Sequence, residues 1–162
     1  MPRVYVSLGS NIDRDRHIRA ALDALESRYG ALAVSQIYES EAVGFEGENF
    51  YNLVVGFDTE EAPAALDREL HAIEAANGRD RSSPKFSART LDLDLLLYGD
   101  AVVDAGRLQL PRDEITRYAF VLLPLAEIAG DLRHPLSGES YRALWERFDG
   151  REQRLWPVPF AR

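Results

Sequence analysis

The stretch SARTLDLDLLLYGD, residues 87–100, decides how this chain is read. Leu91, Leu93, Leu95, Leu96 and Leu97 supply the apolar surface of a buried strand, yet Asp92 and Asp94 interrupt its start, with Arg89 just before them. Side chains alternate faces along a strand, so the two aspartates share one face and three of the leucines the other. The carboxylates then stand roughly 7 Å apart along the strand, where like charges repel. Two carboxylates on one face can share hard cations, and Mg²⁺ is usually held by one or two carboxylates plus substrate phosphates. The plain alternative is a half-exposed strand with its acidic residues turned to water.

Upstream lies GRDRSSPKFSAR, residues 78–89, in which Arg79, Arg81, Lys85 and Arg89 outnumber Asp80. Glycine, serine and proline predict a loop here rather than a helix. Arginine forks match phosphate oxygens and stay charged. A solvated surface loop is the simpler reading of scattered charges. A cationic loop leading directly into paired aspartates is what polyphosphate chemistry needs.

The rest of the chain supplies the frame. Val4, Val6 and Leu8 alternate with Tyr5 and Ser7, a strand pattern ending at the turn-like Gly9-Ser10-Asn11. Asn11 or Asp13 is placed to cap a helix with Ile18, Ala21, Leu22, Leu25 and Tyr29 on its apolar side, stopped by Gly30. Residues 31–40 and 50–57 predict two more strands. Pro63 opens a second helix, with Leu66, Leu70 and Ile73 inward and Gly78 at its end. With the strand at 91–98 the order is βαββαβ, an α+β fold of ferredoxin-like arrangement. Added C-terminal elements follow: a short extended pair at 101–104 and 107–110, a helix near 119–129 started or kinked by Pro124, and a last helix around Tyr141–Phe148 before a proline-bearing tail.

Composition narrows the function classes. At 162 residues, 46% hydrophobic and 28% charged, the chain suits a single soluble domain spanning 1–162. No apolar run reaches the ~20 residues of a membrane helix, no signal peptide is expected, and no cysteine offers a disulfide or thiolate site. A cytoplasmic protein is expected. The net charge of −8 argues against a broad nucleic-acid surface, so an anionic ligand must meet a local cationic cluster. His17, His71 and His134 show no metal-ligand spacing and default to the surface. Phe50 and Asn52 share a strand face, and Phe120 lies in RYAFVLLPL. Phenylalanines are most often core, but a pair with an amide can clamp a flat heterocycle and read its edge.

Gly9-Ser10-Asn11, Phe50-Tyr51-Asn52, Gly78-Arg79, Ala88-Arg89-Thr90-Leu91-Asp92-Leu93-Asp94 and Phe120-Val121-Leu122-Leu123-Pro124-Leu125 together resemble the 6-hydroxymethyl-7,8-dihydropterin pyrophosphokinase family over nearly the whole chain. The stretch at 88–94 is the most specific. The resemblance implies transfer of pyrophosphate from ATP to the pterin hydroxymethyl group with release of AMP, two Mg²⁺ ions and a ferredoxin-like core; a monomer is expected. It implies Asp92 and Asp94 as metal ligands and Arg79 and Arg89 as catalytic-loop arginines, with Arg81 beside the triphosphate. Phe50 and Phe120 match the aromatic pair around the pterin and Asn52 its hydrogen-bond partner; Ser40, Val43 and Gly44 lie where the family's backbone meets the ring. His71, Glu74, Phe86, Leu95, Arg107, Gln109 and Arg112 match positions lining the ATP site. The chain departs from the family at Arg112-Asp113, where a histidine is usual at the first position. It departs again at Tyr118, where an arginine is usual, and at Phe86, often tryptophan. A paralogue with altered substrate, a non-catalytic pterin- or nucleotide-binding homologue and an RNA-binding or regulatory module are the competing classes. The retained aspartates and arginines weigh against the second. The negative charge and missing aromatic strand motif weigh against the third.

Overall fold

The computed structural model describes residues 1–41, 47–78, 90–150 and 153–160. Strand β1 (Arg3–Ser10) leads into helix α1 (Arg14–Tyr29). The predicted strand at 31–40 is two pieces, β2 (Ala33–Val34) and β3 (Ile37–Ser40), followed by β4 (Phe50–Asp58). Both pieces pair with β4, but Val34 meets Val55 while Tyr38 meets Asn52, a slip of one residue. Ser35 fills the gap, its backbone N–H donating to the Val54 carbonyl and its hydroxyl accepting the Val54 N–H, each at 3.0 Å. Helix α2 (Pro63–Ala76) carries Pro63 in its first turn and Gly78 at φ 78° beyond its end, as the sequence predicts. Strand β5 (Asp92–Tyr98) follows, then the hairpin β6 (Val103–Ala105) and β7 (Leu108–Leu110), a 3₁₀ turn at Asp113–Thr116, α3 (Ala119–Ala129), α4 (Tyr141–Glu146) and β8 (Leu155–Val158). Pro124 lies inside α3 rather than at its start.

The main sheet is antiparallel in the order β5-β1-β4-β3-β8, with β2 also on β4. Two cores separate its faces. Ile18, Leu22 and Leu25 of α1 and Leu66, Leu70 and Ile73 of α2 pack with Leu91, Leu93 and Leu95 on one face. Val121, Leu122 and Leu125 of α3, with Tyr141 and Leu144 of α4, pack on the other against Tyr5, Val54, Leu96 and Leu97. Strict alternation cannot put Leu96 and Leu97 in the same core. Between β1 and β5 the register shifts: Val6 faces Leu95, whereas Tyr5 faces Leu97. Leu96 is the extra residue of a bulge, so Leu97 joins the second core and Tyr98 packs against the first.

Three expectations are corrected. Gly9 and Ser10 belong to β1 and not to a turn. His17 and His134 are buried. The His17 Nδ1 stands 2.9 Å from the Asn77 side-chain oxygen, tying the start of α1 to the end of α2, and His134 lies edge-on to Tyr141. The proline-bearing tail contains a strand: β8 adds to the sheet with Pro157 opposite Tyr38, tolerated because an edge strand can leave the missing N–H side unpaired.

Candidate active site

The register of the sheet assembles a site on the face shared with α3. Asp92 is paired with Gly9, Gly9 with Asn52, and Asn52 with Tyr38, so all four stand in one row across four strands. The next row is Asp94, Ser7 and Val54, where the second core begins. With neighbouring strands about 4.8 Å apart, Asp92 and Asn52 are separated by roughly 10 Å. Gly9 lies between them and keeps the space low: a Cβ there would stand 3.4 Å from Asn52 Oδ1 and 3.8 Å from the Phe50 ring.

At the amide end, Asn52 and Ser40 are buried, and Asn52 Nδ2 donates to Ser40 Oγ at 2.7 Å. That bond fixes the amide orientation and leaves its oxygen as the acceptor for a heterocycle's N–H edge. Phe50 is half-buried beside it, opposite Ser40. The loop before Phe50 is fastened from the β1–α1 turn: Asn11 Nδ2 donates to the Glu48 carbonyl and Arg14 Nη1 to that of Asn49, both at 3.0 Å. Arg14 also lies 4.0 Å over the Tyr51 ring and 3.6 Å from Glu39. Sequence reading missed Arg14, since nothing local marks a helix-start arginine as an anchor for a distant loop.

At the acidic end, burial and then the neighbouring Asp92 hold the Asp94 carboxyl well above the usual carboxylate range, while Arg112 acts the other way. Arg112 Nη2 is 3.4 Å from Asp94 Oδ1. Its Nε and Nη2 donate to one oxygen of Glu114 at 3.2 and 3.0 Å. Its backbone N–H donates to the Leu96 carbonyl, which brings the side chain beside β5. Asp113 does not hold this guanidinium; it pairs with Arg117 at 3.4 Å. At the outer side of the strand, buried Glu74 accepts the Leu93 N–H at 2.7 Å. Ser10 Oγ donates to the Thr90 carbonyl at 2.6 Å, fixing the residues that precede the acid pair.

The fit to divalent cations rests on this chemistry. Two carboxylates on one face, one held protonation-prone by burial beside the other, are relieved by a hard cation that completes its shell with water and phosphate oxygens. Among the described residues no set of three or more histidine or carboxylate side chains gathers as a cation cage.

The remaining expected residues are spread around this row. Phe120 is half-buried in the first turn of α3, its ring stacked on Tyr118 at 5.1 Å and 15°. His71 is half-buried on α2, 3.7 Å from Asp67. Arg107 and Gln109 are exposed on the β6–β7 hairpin. Leu95 puts its side chain in the first core, so only its backbone is left to meet a nucleotide. Val43, Gly44, Arg79, Arg81, Phe86 and Arg89 lie outside the described residues.

Comparisons with known proteins converge on one family. Residues 5–130 match the family model for 7,8-dihydro-6-hydroxymethylpterin-pyrophosphokinase. The chain is 45% identical over 137 residues to the 2-amino-4-hydroxy-6-hydroxymethyldihydropteridine pyrophosphokinase of Pseudomonas aeruginosa, covering 82% of this chain and 84% of that protein. It is 37% identical to the protein of the same name from Haemophilus influenzae, covering 85% and 88%. In fold it is similar to the wild-type HPPK-DHPS of Plasmodium falciparum crystallised with pteroate (TM-score 0.74, 15% identity), covering 93% of this chain but only 43% of that longer one. With most of its length matched by the family model and by full-length relatives, the chain belongs to the 7,8-dihydro-6-hydroxymethylpterin-pyrophosphokinase family.

Proposed function

We propose that the row Asp92–Gly9–Asn52 is where pyrophosphate passes from ATP to the hydroxymethyl group of 6-hydroxymethyl-7,8-dihydropterin. Pyrophosphokinase activity in folate biosynthesis, with ATP as co-substrate, is the activity of the family and of the named relatives. The observation that supports the residue-level reading is the register, which sets the Asp92–Asp94 acid pair and the Asn52 amide on one face with Gly9 between them.

In this reading Asn52 accepts from the pterin's N–H edge, Ser40 fixes the amide, and the backbone of Val43 and Gly44 completes the edge contacts. Phe50 and Phe120 clamp the ring. Asp92 and Asp94 hold the two Mg²⁺ ions, which when bound neutralise the triphosphate and keep it in line. Arg79, Arg81 and Arg89 offer forks to the phosphate oxygens, and Arg89 and Arg79 stabilise the charge that spreads at the transferring group. His71, Glu74, Phe86, Leu95, Arg107, Gln109 and Arg112 line the nucleotide side. The pterin hydroxyl oxygen forms the bond to the β-phosphorus. The bond from that phosphorus to the α,β-bridging oxygen breaks, AMP leaves, and the hydroxyl proton is lost to solvent or phosphate. No covalent intermediate with the chain is needed; positioning and charge supply the catalysis.

The order β5-β1-β4-β3 with α1 and α2 on one face supports a ferredoxin-like assignment for the core. A single domain over 1–162, acting as a cytoplasmic monomer, is the form proposed. The test is AMP release from ATP in the presence of Mg²⁺. It should depend on 6-hydroxymethyl-7,8-dihydropterin and vanish in Asp92→Asn and Asp94→Asn. AMP release without the pterin, or full activity in both variants, would overturn the reading.

A further inference from the structure

The C-terminal segment touches both sides of the proposed pterin site. Leu155 of β8 pairs with Ser40, the residue that orients the Asn52 amide. Two residues earlier, the Gln153 side chain makes two hydrogen bonds to the opposite side. Its Oε1 accepts the Ala119 N–H at 2.7 Å, and its Nε2 donates to the Arg117 carbonyl at 3.0 Å. Ala119 is the first residue of α3, and Tyr118 before it makes no side-chain cap of its own. The N–H that every helix start leaves unsatisfied is therefore taken by a side chain 34 residues away. Between the two anchored backbone groups sits Tyr118, whose ring backs the Phe120 ring. The Arg117 guanidinium lies 5.6 Å over the other member of that stack, Tyr118.

We propose that Gln153 is a positioning residue for the pterin. It sets the backbone of 117–119, and through the Tyr118 stack the angle of the Phe120 ring. This rests on Phe120 being one wall of the pterin site. An amide is suited to the task because it offers an acceptor and a donor side by side, matching the N–H and C=O that flank the single residue Tyr118. The backbone pairing of β8 with β3 then limits where the amide can reach, so β8 adds a second tie between the Ser40–Asn52 side and the Phe120 side to the direct one, in which Glu127 of α3 accepts from the Tyr38 hydroxyl and the Gln36 N–H.

The test is a double-mutant cycle of Gln153→Ala and Phe120→Ala. It is read by calorimetric binding of 6-hydroxymethyl-7,8-dihydropterin with a non-hydrolysable ATP analogue present, and by KM for each substrate. Gln153→Ala is expected to weaken pterin binding about threefold to tenfold, the size of a lost helix cap, and to leave the ATP KM unchanged. In the Phe120→Ala background the same substitution is expected to change pterin binding less than twofold. Gln153→Glu, which keeps the acceptor for Ala119 and loses the donor to Arg117, should fall between, and it takes the place of Gln153→Ala in the cycle if that variant does not fold. An equal loss toward ATP and pterin, or a full additional loss on top of Phe120→Ala, would show a merely structural cap and overturn the proposal. If Phe120→Ala alone leaves pterin binding intact, the clamp reading itself fails and the proposal falls with it; if Phe120→Ala weakens binding and Gln153→Ala does not, only the proposal fails.

Discussion

Arg112 offers the sharpest test of the electrostatics. Its Nη2 stands 3.4 Å from Asp94 Oδ1, and the two side chains are 29% and 14% exposed. Two unit charges at that distance in an effective dielectric of about 20 attract by roughly 5 kcal/mol. Desolvation of both groups, and the share of the guanidinium already given to Glu114, offset more than half of this. A net loss of about 2 kcal/mol is therefore expected when Arg112→Met is unfolded in urea without divalent cations, at a pH above the raised Asp94 titration where its carboxylate is charged. The same substitution in an Asp94→Asn background should cost about 1 kcal/mol less, because the charge that Arg112 compensates is gone, while the loss toward Glu114 is common to both backgrounds and cancels. With Mg²⁺ and both substrates, Arg112→Met should raise the ATP KM and leave the pterin KM nearly unchanged. The same urea cost in both backgrounds would refute the argument, as would unchanged constants for both substrates.

Removing the hydroxyl in Ser40→Ala leaves a buried amide donor on Asn52 without its partner; a stability loss of about 1–3 kcal/mol, and weaker pterin binding by calorimetry with ATP affinity unchanged, is expected. Gly9→Ala should be tolerated because its Cβ meets Asn52 at an ordinary 3.4 Å, whereas Gly9→Val forces methyl groups toward Asn52 and Phe50 and should cost about 1–3 kcal/mol of pterin affinity; equal affinities for the two variants would place the ligand elsewhere. Burial holds the His134 imidazole below its ordinary value of 6.5, and its Nδ1 accepts from the Leu136 and Ser137 N–H groups. The unfolded chain therefore binds the proton first, so this contribution to stability is complete above about pH 6.5 and is lost as pH falls toward the lower folded value. Urea midpoints at pH 7.5 and 5.5 should differ more for the wild type than for His134→Ala.

What could be read from the sequence was local. Pro63 and Gly78 bound α2 through preferences of the residues themselves, and the alternation around Asp92 and Asp94 places both carboxylates on one face without knowledge of any partner. What could not be read depends on contacts between distant segments. The bulge at Leu96 is invisible because a run of leucines satisfies either register, and only pairing with β1 chooses. The break at Ser35 needs β4 beside it, and β8 reads as a tail because Pro157 argues against a strand unless the strand is known to be an edge. His17 and His134 carry no signal in their neighbours that distinguishes a surface imidazole from a buried one. Within the site, the Glu114–Arg112–Asp94 contacts and the Gln153 amide are geometric facts that spacing does not encode.

Among the described residues, the strand that carries the acid pair lies at the border of the sheet, with no strand paired on its outer side. Such a border is a template for another chain, and a leucine-rich one is a hazard for aggregation. Here two of its outward groups are already claimed: the Leu93 N–H by Glu74 and the Leu96 carbonyl by the Arg112 N–H. The opposite border, β8, carries Pro157, which has no N–H to offer. Glu74→Ala would therefore do more than loosen a buried contact. It would reopen a hydrogen-bonding position along a leucine strand, and the protein should precipitate at concentrations where the parent chain stays dispersed.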